Sequence, residues 1–170
     1  MRKLSRIAFT GVMVFVLLGG CSSNGAKQDE AKESAGNINI QQQWSGAHSD
    51  ITKVECHLIK TKEEWGKVWQ LHNSNEQAPE IDFSRQMIVA IFQGHELNSK
   101  GVIVSSVSND SNGVLMRFDE STYQSAYPGD KVTPFGIFVL PRSDKKFILE
   151  ENVQGLIGKP PVWKLRRIFE

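Results

Sequence analysis

The stretch "MIVAIFQ", residues 87 to 93, constrains the fold of this chain more than any other. Successive side chains of a strand point to opposite faces, so an apolar run of strand length without polar alternation suits a central strand. Other strand-like runs follow it. "VIVSSVS" (102 to 108) and "VLMRF" (114 to 118) are joined by "NDSNG", a strong turn signal, and are expected to form a hairpin. "FGIFVLP" (135 to 141) and "FILEE" (147 to 151), joined across "RSDKK", are expected to form a second hairpin, and "VWKLRRIF" an added edge strand.

One helix is well marked. Thr61 with Glu64 three residues later makes a capping box, and Trp65, Val68, Trp69 and His72 then fall on one helix face. The expected fold class is α+β, a mostly antiparallel β-sheet with one prominent α-helix, as a single domain after a signal peptide and tether. A domain of this length buries about two thirds of its unfolded surface and needs no metal or disulfide for stability.

The N-terminus reads as an address. Arg2, Lys3 and Arg6 precede the apolar run Ile7 to Leu18, and small residues follow, the order of an export signal. This run falls short of the ~20 residues that a membrane-spanning helix needs. Leu18-Gly19-Gly20-Cys21 resembles the bacterial lipobox, which implies cleavage before Cys21 and acylation of its thiol. Two or three acyl chains anchor a protein stably where one does so marginally. Residues 22 to 43 are almost devoid of apolar side chains and cannot bury a core, so they read as a flexible tether. The expected organisation is a signal peptide over 1–20, the lipidated cysteine and tether over 21–43, and the folded domain over 44–170. The expected location is the cell envelope, lipid-anchored on the extracytoplasmic side of a membrane, the outer one in a cell that has two.

Charge narrows the partners. Residues 1–20 carry three of the 20 basic residues and none of the 19 acidic ones, so the mature chain has 17 against 19, a net charge of −2. That balance offers no electrostatic footprint for nucleic acid. Lys164, Arg166 and Arg167 read as a solvated strand face. Apart from Cys21 the only thiol is Cys56, which excludes a disulfide within the domain. Cys56 is in phase with Val54 and Leu58 and is expected as a buried apolar filler.

No complete catalytic motif occurs. His95-Glu96 would open a zinc-protease helix if a histidine stood at position 99, where Ser99 stands instead. Ser143 and Lys146 match the Ser-x-x-Lys spacing but fall in a turn without partner motifs. His48, His57 and His72 lack ligand spacing. No metal, cofactor or enzymatic activity is therefore expected. Trp44 and Trp163 are expected to cover core edges. The irregular connections Gly94–Lys100 and Asp119–Thr133 are the candidates for binding, with His95 and Glu96 in the first and Tyr123, Tyr127 and Pro128 in the second.

The succession "TKEEWGKVWQLH", "PEIDFSRQMIVAIFQG", a strand pair and "VTPFGIFVLPRS" resembles the C-terminal domain of the protease-complex subunit PrcB over roughly residues 51 to 150. The likeness rests on Glu63, Glu64, Trp65 and Trp69, on Asp82-Phe83-Ser84, and on Pro141-Arg142-Ser143. It implies a non-catalytic, protein-binding domain, an accessory or regulatory subunit of an extracytoplasmic protease complex. Family members commonly carry Gly-Gly-Tyr after the buried strand, where this chain has Ser99-Lys100-Gly101-Val102. The alternative from another class is a lipoprotein that binds a small ligand or an envelope polymer.

Overall fold

In chain order the described residues, 36–154 and 158–170 of the computed structural model, form eleven strands and one helix. They are β1 (Gly36–Asn37), β2 (Gln42–Gly46), β3 (Val54–Ile59), α1 (Lys62–His72), β4 (Gln86–Gln93), β5 (Glu96–Leu97), β6 (Ser99–Asp110), β7 (Gly113–Thr122), β8 (Lys131–Val132), β9 (Phe135–Pro141), β10 (Phe147–Asn152) and β11 (Trp163–Phe169). All of them belong to one of the two units into which contacts divide the chain, Glu33–Glu170. The expected signal peptide, Cys21 and most of the expected tether lie outside the described residues.

A four-stranded sheet, β2-β9-β4-β3, lies between a five-stranded sheet, β1-β6-β7-β10-β11, and the helix. β4 shows why. Met87, Val89 and Ile91 pack with Phe138 and Leu140 of β9 against Val107, Met116, Phe118, Phe147 and Leu149 of the larger sheet. The alternate residues Ile88, Ala90 and Phe92 pack with Ile137 and Val139 against Trp65, Val68 and Trp69 of α1. Both faces of β4 are covered, which is why its sequence shows no polar alternation. The sheets are mostly antiparallel; the exception is β10, which runs parallel to β7.

The one helix among the described residues is the one expected, and it is short, 11 residues. Thr61 Oγ1 accepts from Glu64 N at 3.2 Å, as the capping box requires. Glu64 Oε2 reaches back to the amide of Lys60 at 3.2 Å, one residue beyond the cap. Trp65, Val68, Trp69 and His72 are its buried residues, the face read from the sequence. Arg142 ties this layer together, donating from Nη1 to the carbonyls of Lys60 and Phe83 at 3.1 and 2.7 Å.

The hairpin expected across "NDSNG" is present as β6 and β7, with Asp110 Oδ1 accepting from the amides of Asn112 and Gly113. Gly113 has φ +139, and a Cβ there would collide with Lys146 O. The second expected hairpin is not formed. β9 lies in the inner sheet and β10 in the outer one, so "RSDKK" carries the chain between layers. β11 pairs with β10 as an edge strand. Residues 36–43, expected to end the tether, belong to the fold: β1 pairs with β6, β2 begins at Gln42, and Ile38 and Ile40 pack against the core.

Candidate functional site

The two irregular connections meet at one end of the molecule. β5 pairs with β8 as a two-stranded ribbon, Glu96 opposite Val132 and Leu97 opposite Lys131. Beyond it, Asn98 takes a left-handed φ of +58, a conformation in which asparagine is favoured over most residues. In that posture its amide donates to Asp130 O at 2.9 Å, its carbonyl accepts from Tyr123 N at 2.8 Å, and Oδ1 accepts from Asp130 N and Ser125 Oγ, both at 2.8 Å. One residue, through its backbone and its side chain, thus fixes a loop that begins more than twenty positions further along the sequence.

His95 and Glu96 are exposed and, with Leu97 and Lys131, line a cleft of about 600 Å³. Leu97 is 52% exposed and Tyr127, followed by a cis peptide bond to Pro128, is 98% exposed. Tyr123, the other candidate contact tyrosine, is half-buried. Its hydroxyl donates to Asp130 Oδ2 at 2.7 Å, which raises its pKa, and its ring lies 5.6 Å from Lys100 Nζ. The sequence grouped these loops only by irregularity; Asn98 and Asp130, which join them, were missed. The available signal was an Asn between Leu97 and the buried Ser99, a residue type that tolerates positive φ.

Gly101, the glycine left where the family pattern has a pair, has φ +121, and a Cβ there would meet Ser45 Oγ and the backbone of Gly46. Its role in this chain is close approach of β6 to β2.

A second polar group closes the side of the sandwich between β3 and β11. Glu151 accepts from Gln93 Nε2 at 2.8 Å and pairs with Arg166 at 3.2 Å. Cys56 lies beside them, buried as expected, and burial raises its pKa despite the neighbouring Arg166. A thiol held protonated in this way is a poor nucleophile. Glu120 also has a raised pKa, from burial first and, against an opposing hydrogen bond from Ser99, from Glu96, Glu151 and Asp119; its Oε1 has no hydrogen-bond partner among the described residues.

At the C-terminal end of α1 the structure adds a feature the sequence did not single out. His72 Nδ1 lies 2.9 Å from Ser49 Oγ. Ser49 is itself stitched to Thr133, which donates from Oγ1 to Ser49 O at 2.7 Å and accepts from Ser49 N at 2.9 Å. The imidazole is enclosed by Phe135, Trp69 and Phe92, at ring distances of 4.2, 5.4 and 5.8 Å. No carboxylate hydrogen-bonds the other nitrogen among the described residues, so Ser49 and His72 lack the orienting third group of a nucleophile triad. Trp44 covers the edge of this aromatic layer, as expected, 6.2 Å from Trp65 and 5.9 Å from Trp69. Among the described residues no three His, Cys, Asp or Glu side chains are grouped to hold a metal ion.

No protein-family model, curated protein or solved structure matches the chain.

Proposed function

We propose that this chain is a lipid-anchored extracytoplasmic protein whose folded domain acts by binding a protein partner through the surface formed by residues 94–100 and 123–131. The observation that carries this reading is the Asn98 junction, which holds two connections as one ordered surface. Ordering a surface before binding lowers the entropy lost on association. Tyr127 stands fully outward from it and Leu97 half outward, the aromatic and aliphatic types that anchor contacts. The lipobox-like Leu18-Gly19-Gly20-Cys21 supports the anchor, and the resemblance to the PrcB C-terminal domain makes an extracytoplasmic protease the first partner to test, with this chain as its accessory or regulatory subunit.

Cross-linking of the full chain in its native membranes, followed by identification of what is captured, tests the reading. The parent is expected to capture one partner reproducibly, and Tyr127→Ala to capture about tenfold less of it, the effect of losing one anchor. Equal capture by a normally folded Tyr127→Ala protein removes this surface from the interaction.

A further inference from the structure

The cleft at the C-terminal end of α1 is a binding site of a different kind, sharing no lining residue with the loop surface described above. It measures about 500 Å³, within the ~300–1,000 Å³ of small-ligand sites. His48, Asp50, His72, Asn73, Asn75 and Phe135 are among the residues that line it. We infer that this cleft binds a neutral sugar residue, held by hydrogen bonds with His72, Asp50, Asn73 and Asn75 beside Phe135.

The histidine is the strongest indication. His72 is only 6% exposed and is clamped among aromatic rings, with Phe135 nearest at 4.2 Å. Ser49 Oγ accepts from Ile51 N at 3.1 Å and lies 2.9 Å from His72 Nδ1, so the serine engages that ring nitrogen in either tautomer. Nε2 has no protein partner among the described residues, nor is it one of the enclosed unpartnered atoms, which are Asn109 Oδ1 and Glu120 Oε1. The clamped ring therefore leaves one nitrogen, Nε2, for a ligand hydroxyl, which can donate to it or accept from it.

The remaining lining selects the ligand. Asn73 Oδ1 accepts from Asn75 N at 3.2 Å, which leaves its side-chain NH₂ free to donate. Among the described residues the Asp50 carboxylate has no hydrogen-bonded partner, while the Asp50 amide is fixed to His72 O at 3.0 Å. The described lining contains no Lys or Arg to hold an anion, and its polar atoms do not suit an apolar guest. Amide, carboxylate and imidazole groups share this lining with an aromatic ring. Hydroxyl groups both donate and accept, whereas a C–H face of a sugar ring packs on an aromatic. A peptide would pair through extended backbone, and no free strand edge is among the residues that line this cleft.

The test is titration of the full-length protein with chitotetraose, cellotetraose and maltotetraose, followed by tryptophan emission, because Trp69 is 5.4 Å from His72. Saturable binding of at least one of them is expected. Asp50→Ala and Asn75→Ala, at exposed positions, should weaken it by about tenfold each while leaving the melting temperature unchanged. Tyr127→Ala should bind the sugar as the parent does, which separates this site from the proposed protein-binding surface. No saturable binding of any of the three up to about 10 mM overturns the inference. So does binding that neither substitution weakens, or saturation by a blocked neutral tetrapeptide in place of the sugars.

Discussion

Asn98 and Asp130 hold each other by two hydrogen bonds, Asn98 N to Asp130 O at 2.9 Å and Asp130 N to Asn98 Oδ1 at 2.8 Å, across 32 positions of sequence. Alanine at 98 loses the Oδ1 acceptor and must hold a φ of +58. Asn98→Ala is therefore expected to cost about 1–3 kcal/mol and to speed amide exchange at Tyr123 and Asp130. Asn98→Gly relieves the backbone without restoring the acceptor and should fall between the two. Exchange in the alanine variant at the parent's rate would show that the loops are ordered by other contacts.

Cys21→Ser tests the anchor. Cleavage before Cys21 would leave 17 basic against 19 acidic residues, a net charge of −2 that does not favour an anionic membrane. Without an acylated thiol the protein is expected to leave the membrane fraction while its domain melts as before. Fractionation together with detection of acyl chains on the N-terminus decides the matter; a mature protein unmodified at residue 21 rejects it.

Trp65 joins the helix to the inner sheet. It is 2% exposed, its Nε1 donates to Pro79 O at 2.9 Å, and its ring lies 5.0 Å from Trp69. Trp65→Ala is expected to cost about 3–5 kcal/mol in equilibrium unfolding, combining a cavity with a lost hydrogen bond. A loss below about 1 kcal/mol would mean that the layer refills the space.

How much of this was legible follows from the range of each signal. The capping box and the helix face depend on residues three and four apart, and both were readable. The β6–β7 hairpin was announced by its turn. Strand partners are a longer-range matter: "RSDKK" permits a hairpin or a change of sheet, and turn composition does not choose between them. The strands themselves held a clue. "FGIFVL" is apolar throughout, like "MIVAIF", and needs cover on both faces, whereas Phe147 and Leu149 alternate with half-buried Ile148 and Glu150. β9 accordingly lies in the inner sheet and β10 in the outer one. Tyr123 and Tyr127 looked equivalent in sequence because nothing local indicates that Asp130 engages only the first. The Ser49–His72 contact joins residues 23 positions apart and left no periodic trace.

His72 makes stability depend on pH. Burial lowers its pKa from the ordinary 6.5, against smaller opposing effects of Asp50 and Glu76. Between its folded value and 6.5 the unfolded chain binds more protons than the folded one, so stability rises with pH across that window. Above 6.5 the ring is neutral in both states and costs nothing; as pH falls through the window, protonation draws the protein toward unfolding. Urea midpoints measured between about pH 7.5 and 5 should decline for the parent. His72→Gln, which keeps polarity but cannot titrate, should have a lower midpoint at neutral pH and a flatter decline. Every other ionisable side chain is the same in the two proteins, so the comparison isolates His72. An equal slope in the two proteins would assign the acid sensitivity to groups other than His72.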